Sequence, residues 1–139
     1  KIKQVETLDV VIVAADWGSG RRKGWLSNYH LGVWDGEKYL AIGKTFKGLT
    51  DEDFNWMTEY LRKIKVKETE HTVYVRPELV VEVAFNEIQN SSHYRSGYAL
   101  RFARITKIRT DKTPEEADTL NRVSELYEEQ FKYKDRLER

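Results

Sequence analysis

Apolar and polar residues alternate along much of this chain, a spacing typical of β-strands with one buried face. The first such segment, around Val10, is rich in β-branched residues and predicts a buried strand. Asp35-Gly36 is a tight-hairpin signal between the second and third segments. Five strands are predicted, over residues 8–15, 29–35, 38–46, 79–88 and 98–109. Residues 86–97 are polar and predict a loop, whereas residues 71–75 could form a short extra strand.

Two segments instead have helical spacing. Thr50 is a good N-cap for a helix over residues 51–65, whose apolar positions fall on one face. The sequence Thr113-Pro114-Glu115-Glu116 predicts the start of a C-terminal helix over residues 113–137. The apolar stripe of that helix comprises Leu120, Val123, Tyr127 and Phe131. A mainly β chain with three strands, a helix, two strands and a last helix predicts a five-stranded oligonucleotide-binding (OB) barrel.

Composition narrows the kinds of chemistry that this domain can perform. The chain has 139 residues, enough for one domain, and 40% of them are hydrophobic. It contains no cysteine, which excludes disulfides, thiolate metal sites and cysteine nucleophiles. No apolar run is long enough to cross a membrane, and no secretory signal is visible. Since the chain begins at Lys1 rather than Met, we expect it to be a piece of a longer enzyme.

The net charge is only +1, so the distribution of charge carries more information than its sum. Arg21, Arg22 and Lys23 lie in a glycine-punctuated loop over residues 16–28, where the first inter-strand loop of an OB barrel often contacts nucleic acid. The alternative is an ordinary solubilising loop. The three histidines have no metal-like spacing, and Asp9, Asp16 and Asp35 each have a turn or strand-end explanation. We therefore assign none of these residues to acid–base or metal chemistry.

The densest cationic segment, residues 101–112, reads Arg-Phe-Ala-Arg-Ile-Thr-Lys-Ile-Arg-Thr-Asp-Lys. In a continuous strand, Arg101, Lys107 and Arg109 would share one face and could hold phosphate groups. The alternative is a solvated strand that pairs with acidic helices. On pattern alone the two interpretations are about equally supported.

This segment closely resembles the last signature motif of ATP-dependent DNA ligases, which commonly reads RFPRxxRxRxDK. Lys1-Ile2-Lys3 resembles the lysine pair of the motif that precedes this domain in those enzymes. The resemblance covers essentially the whole chain and departs from the family pattern at Ala103, where proline is usual. It implies that residues 1–4 are the tail of a preceding nucleotidyltransferase domain, residues 5–112 the barrel and residues 113–137 the C-terminal helix.

The resemblance also implies roles for individual residues. Asp111 and Lys112 would be catalytic, because in the family they orient the departing pyrophosphate of ATP. Phe102 would press into the minor groove near a nick. The remaining roles are implied for two sets of cations: nucleotide phosphates for Lys1, Lys3, Arg101 and Arg109, and DNA for Arg21, Arg22, Lys23, Arg104 and Lys107.

For the full-length enzyme the resemblance implies ATP and magnesium as cofactors and nicked duplex DNA as substrate. The nucleotidyltransferase domain is an implied partner and a sliding clamp a further candidate; a cytoplasmic, prokaryotic monomer without membrane contact is expected. The nucleophile motif Lys-x-Asp-Gly is absent here, because Val33-Trp34 precede Asp35-Gly36, so this chain alone should not seal nicks. Two alternatives stay open: a stand-alone module for single-stranded nucleic acid, and the equivalent domain of an RNA ligase or mRNA capping enzyme.

Overall fold

The longest strand, β1, organises the sheet of this protein by pairing with three other strands. The computed structural model describes residues 5–137, with side chains described through Lys132. The strands are β1 (Glu6–Trp17), β2 (Leu26–Trp34), β3 (Tyr39–Thr45), β4 (Lys65–Glu68), β5 (Thr72–Val75), β6 (Val80–Phe85), β7 (Glu87–Asn90), β8 (Tyr98–Arg101) and β9 (Arg104–Arg109). The helices are α1 (Asp51–Lys63) and α2 (Leu120–Leu137), and short 3₁₀ turns span Gly20–Arg22 and Pro114–Glu116.

A bend in β1 lets this strand pair with two different strands along one of its edges. Its first half pairs with β6 from Glu6 to Val11, and its second half pairs with β5 from Ala14 to Asp16. A register shift in its pairing with β2, between Ile12 and Ala14, marks the bend. All of these pairings are antiparallel, and β2–β3, β4–β5, β6–β9 and β7–β8 continue the same pattern. The result, within the described residues, is a curved seven-stranded sheet with β7 and β8 forming a separate two-stranded sheet.

The end of β3 meets β9 and closes the barrel. The Thr45 hydroxyl donates to the carbonyl of Ala103 at 2.6 Å, and the amide of Ile105 donates to the carbonyl of Lys47 at 2.9 Å. Gly48 follows with φ +99, so close to the backbone of Ile105 that a Cβ would collide with it. Residue numbers rise together along the two segments, from Thr45 and Ala103 to Lys47 and Ile105. The two segments therefore run parallel where the barrel closes.

The core lies between the curved sheet and α1. Tyr29, Leu31 and Val33 are fully buried on the inner face of β2, as their alternation predicts. Phe54, Met57 and Leu61 bury the apolar face of α1, and Trp25 stacks on the Phe54 ring at 5.5 Å. Thr50 and Asp53 form a capping box at the start of α1, which satisfies two backbone amides that a helix leaves without partners. From α2, Val123 and Leu126 enter the core.

The mainly β barrel with its two helices is confirmed, and so is the short strand near residues 71–75, but four details of the prediction are wrong. The predicted loop over 86–97 contains β7, which pairs with β8. The predicted fifth strand breaks at Phe102 into β8 and β9. The predicted helix over 51–65 ends at Lys63, and Lys65 instead begins the unpredicted strand β4. Phe131 is 48% exposed, so it does not belong to the buried stripe of α2.

The C-terminal helix also begins later than its sequence signal suggests. Thr113 and Glu116 do form the predicted capping box, but only a 3₁₀ turn follows it. Asp118 then exchanges two hydrogen bonds with Asp9, backbone amide to carbonyl and amide to carboxylate, each at 2.8 Å. This long-range pairing keeps residues 117–119 out of the helix, which therefore begins at Leu120. Neither of the helices in the described part of the chain is long and apolar enough to cross a membrane.

Candidate functional site

Phe102 sits on an exposed, strained turn between β8 and β9. Its φ is +58, the left-handed region, which costs a non-glycine residue about 1–2 kcal/mol. Its ring is 60% exposed, and the Arg101 guanidinium lies over it at 4.9 Å from the ring centre. Arg104 donates to the Phe102 carbonyl at 3.1 Å. An apolar ring held outward on a strained backbone is a feature that function, rather than packing, explains.

Ala103 occupies the position where the resembling motif usually has proline. It is 8% exposed, and its carbonyl accepts the hydroxyl of Thr45. The turn therefore forms without proline, because Thr45 anchors Ala103 and the left-handed backbone of Phe102 supplies the change of direction. Alanine in place of proline at position 103 therefore does not change the outward position of Phe102.

At the other end of β9, Arg109 and Asp111 form a two-pronged ion pair. The Arg109 Nε and Nη2 atoms donate to the two Asp111 carboxylate oxygens at 3.0 and 2.9 Å. These hydrogen bonds lower the pKa of Asp111 to about 2. Asp111 is thus a carboxylate at any physiological pH, and it fixes the plane of the Arg109 guanidinium.

Asp9 joins this pair to Lys112 and is a residue that sequence reasoning missed. The Lys112 Nζ donates to Asp9 Oδ2 at 2.5 Å, and Arg109 Nη1 lies 3.7 Å from Asp9 Oδ1. The hydrogen bond to Asp9 raises the pKa of Lys112. The Asp9 side chain is only 14% exposed and belongs to the first half of β1. A signal was available, since a carboxylate interrupts the apolar run Leu8-Asp9-Val10.

The cations nearer to Phe102 also have protein partners. Arg101 lies 3.8 Å from Glu87 on β7, and Arg104 donates to the Asn86 side chain at 3.4 Å. Lys107 is exposed, and its backbone is paired with that of Glu82. A phosphate group could replace such partially exposed partners with a modest loss of free energy, because surface ion pairs contribute about 0–1 kcal/mol.

The glycine-punctuated loop folds back over the β3–α1 connection. Its 3₁₀ turn places the Arg22 guanidinium over the Phe46 ring, 4.5 Å from the ring centre, and Arg21 pairs with Asp51 at 3.2 Å. Lys23 is exposed beside them. The two indoles of the loop bind protein groups: Trp17 donates to Glu68 at 3.0 Å and Trp25 to Asn55 at 2.7 Å. The tryptophans therefore hold the loop against the barrel.

The structure divides the predicted site residues into two groups. One group surrounds Phe102 and the basic loop; the other comprises Arg109, the last residue of β9, and Asp111 and Lys112 just beyond it. Lys107 and Arg109 share one face of β9, but Arg101 belongs to β8, so the face predicted for all three residues does not form. Its alternation is interrupted by the left-handed turn at Phe102 and by a register shift beside Thr106. Lys1 and Lys3 lie outside the described residues. Within the described part, no three His, Asp or Glu side chains group as a metal site.

Comparisons with known proteins agree with this architecture. The family model described as the ATP dependent DNA ligase C terminal region matches residues 22–112. DNA ligase 1 of Korarchaeum cryptofilum is 55% identical over 134 residues, which are 95% of this chain and 25% of that protein. A probable DNA ligase of Anaeromyxobacter sp. (strain Fw109-5) is 53% identical over 133 residues, covering 94% of this chain and 26% of that protein. The chain thus spans about a quarter of the length of these relatives.

Among solved structures, the ligase domain of M. tuberculosis LigD superposes with a TM-score of 0.70 at 23% identity. The match covers 82% of this chain and 38% of that one, and it supports the fold alone. A mycobacterial DNA ligase D complexed with ATP superposes with a TM-score of 0.64 at 23% identity, with the same coverage. Because the family model matches well over half of the chain, this protein belongs to the family of C-terminal regions of ATP-dependent DNA ligases.

Proposed function

We propose that this domain supports two stages of nick sealing by a full-length ATP-dependent DNA ligase. One is the transfer of AMP from ATP to the enzyme, and the other is the engagement of nicked duplex DNA. The observation that supports this most directly is Phe102, an exposed ring on a strained turn with Arg101 stacked over it. A structural role alone would not favour strain and an exposed apolar ring at the same position.

At the DNA stage, Phe102 enters the minor groove beside the nick and packs against sugars. Arg101 lies over this ring, and Arg104 and Lys107 follow it on β9; we propose that these three cations bind the flanking phosphates. The basic loop, with Arg21, Arg22 and Lys23, extends this contact along the backbone. Arginine suits this role because its planar fork of donors matches phosphate oxygens, and it also stacks on rings.

At the nucleotide stage, Arg109 and Lys112 bind the phosphates of ATP and Asp111 positions Arg109. The bidentate contact holds the Arg109 guanidinium in one orientation before any ligand arrives. Donors that are already oriented stabilise the charge that develops on departing pyrophosphate. To bind a phosphate, Lys112 must break its hydrogen bond to Asp9, so it exchanges a carboxylate partner for a phosphate partner. Lys1 and Lys3 are proposed to contact the nucleotide as well.

ATP fits this end of β9, because Arg109 and Lys112 are adjacent, partly exposed cations. When bound, ATP supplies the AMP group, and magnesium is proposed to accompany it; we assign no residue of this chain to the metal. The preceding nucleotidyltransferase domain would supply the nucleophilic lysine. Bacterial and archaeal relatives support work in the cytoplasm at the chromosome. A monomeric enzyme, with a sliding clamp as a further partner, completes the proposal.

The test joins this chain to the nucleotidyltransferase domain of the parent enzyme and measures each stage separately. We expect Asp111→Ala and Lys112→Ala to abolish self-adenylylation with ATP but to retain sealing of nicks that already carry AMP. Phe102→Ala should do the reverse. Lys67→Ala, on the remote strand β4, is the matched cation control. Equal loss in both assays for Asp111→Ala, or sealing of nicked RNA in preference to nicked DNA, would contradict the proposal.

A further inference from the structure

Phe46 resembles Phe102 in its surroundings, although no sequence motif points to it. Its ring is 42% exposed directly after β3, outside the hydrophobic core. The Arg22 guanidinium lies 4.5 Å from its ring centre, close to the 4.9 Å between Arg101 and Phe102. Among the described residues, these are the two aromatic rings that carry an arginine. Both arginines keep in-plane N–H groups available for an anion.

The barrel closure holds Phe46 beside the Phe102 turn. The residue before Phe46 donates to the Ala103 carbonyl, and the residue after it accepts from the Ile105 amide, at 2.6 and 2.9 Å. Phe46 is therefore level with Arg104, two positions beyond Phe102, in a parallel pairing. Gly48 fixes the register of this pairing, since a larger residue there would collide with Ile105. The position of Phe46 relative to Phe102 is thus set by one hydrogen bond from the Thr45 hydroxyl and one between backbone groups.

Three other exposed rings of the described chain have ordinary aromatic partners, and a fourth, Tyr74, has a lysine over its ring. Trp34 packs edge-on against Tyr39, Trp56 stacks on Tyr60, and Phe131 packs against Tyr127, at 5.0, 5.0 and 4.8 Å between ring centres. Exposure of these rings therefore needs no ligand. Phe46 instead has the Arg22 guanidinium over its ring, next to the cations predicted to bind DNA phosphates. This arrangement favours a ligand that is both apolar and negatively charged.

We propose that Phe46 and Arg22 form a second aromatic–arginine contact with the same nicked duplex that Phe102 engages. This inference rests on the proposed function and extends it to a residue outside the ligase motif. The ring packs against deoxyribose in the minor groove, and Arg22 binds the adjacent phosphate. The paired arginine matches the negative backbone, so the contact is specific for a nucleic-acid duplex rather than for an apolar protein surface. Two rings on one rigid closure hold the duplex at two points and fix its orientation.

The test measures binding of the chain to a nicked duplex by fluorescence anisotropy at several salt concentrations. Phe46→Ala should weaken binding about fivefold to tenfold without changing the salt dependence, as loss of one aromatic contact does. Arg22→Ala should weaken binding and make the log–log salt slope shallower by about one. Phe46→Tyr should restore binding, because it keeps the ring.

Tyr74→Ala is the matched control. Tyr74 is 41% exposed and has Lys67 over its ring at 5.9 Å, but it lies on β5, separated from β3 by β1 and β2. Its removal should change affinity less than twofold. Phe46→Leu controls for a folding defect, because leucine keeps most of the apolar volume but not the ring. We expect this variant to unfold at the same temperature as the wild type and to bind the nicked duplex weakly.

The outcomes separate this inference from the proposed function. Failure of the wild-type chain to bind any DNA, or wild-type affinity for Phe102→Ala, would overturn the proposed function. Weakened binding by Phe102→Ala with wild-type affinity for Phe46→Ala or Phe46→Leu would overturn the Phe46 contact alone. An equal loss on a single strand of the same length would replace the minor groove with base stacking and so refute the duplex assignment.

Discussion

Asp9 is a partly buried carboxylate that neutralises the two cations proposed to hold ATP phosphates. Because Lys112 and Arg109 share it, a ligand must compete with an internal anion. The Asp9→Asn variant keeps the shape and removes the charge, so we expect it to bind inorganic pyrophosphate severalfold more tightly by calorimetry. Glu78→Gln, which removes a surface carboxylate paired with Arg76 at 2.6 Å, should have no effect. Unchanged pyrophosphate affinity in Asp9→Asn would show that Lys112 does not bind phosphate there.

His30 predicts a pH dependence of stability. Burial lowers its pKa below the usual 6.5, although Asp16, at 3.0 Å from its Nε2, opposes that shift and Lys44 adds to it. As the pH falls below about 6.5, the unfolded chain therefore takes up a proton before the native chain does. The free energy of unfolding should decline from pH 6.5 downward, by at most about 1.4 kcal/mol per pH unit from this group.

Urea unfolding between pH 7 and 5 measures this effect. His30→Asn should flatten the decline, whereas His71→Asn should leave it unchanged, since the His71 side chain is 84% exposed. Asp16 does not contribute in this range, because bonds from Thr72 and His30 outweigh its burial and lower its pKa. An identical pH profile for His30→Asn and the wild type would contradict the assignment.

At the scale of elements, the sequence predicts those strands and helices whose signals are local. Alternation in β2 and the Thr50 cap of α1 each lie within a few residues of the structure they determine. The strand β7 was not predicted, because residues 86–97 are polar and part of what holds the strand is distant. Gln130 of α2 binds both the amide and the carbonyl of Ile88, at 3.0 and 2.6 Å, across 42 positions of sequence. No local pattern contains that information.

Gly48 allows the closure that joins β3 to β9. In Gly48→Ala the new methyl group would collide with the Ile105 carbonyl, and the alanine backbone would have to keep φ +99. The substitution should therefore lower the free energy of unfolding by at least about 2 kcal/mol. Gly24→Ala is the matched control, with φ +93 and open space around it, and should cost about 1 kcal/mol. Urea unfolding of both variants gives the comparison. Equal costs would mean that the closure at Ile105 is loose.

At the scale of the whole molecule, the ligase motif is one segment in sequence and two sites in space. Phe102 precedes β9 and Lys112 follows it, and six strand residues extend about 20 Å. The resemblance points to these residues but not to the groups that contact them, because Asp9 and Asn86, the partners of Lys112 and Arg104, come from other parts of the chain. Motifs record residues that act on a ligand, whereas the groups that hold them are set by the fold.

The net charge of +1 makes the salt dependence of DNA binding informative. A globally basic protein would give a steep slope by nonspecific attraction, but here only a local cluster can do so. We expect five cations to contact DNA phosphates: Arg22, Lys23, Arg101, Arg104 and Lys107. The logarithm of the association constant should then fall with the logarithm of salt concentration at a slope near −4 to −5. Replacing Arg22 and Lys23 by alanine should bring the slope to about −3, because two counterion exchanges are lost. A wild-type slope near zero would place these cations away from the DNA backbone.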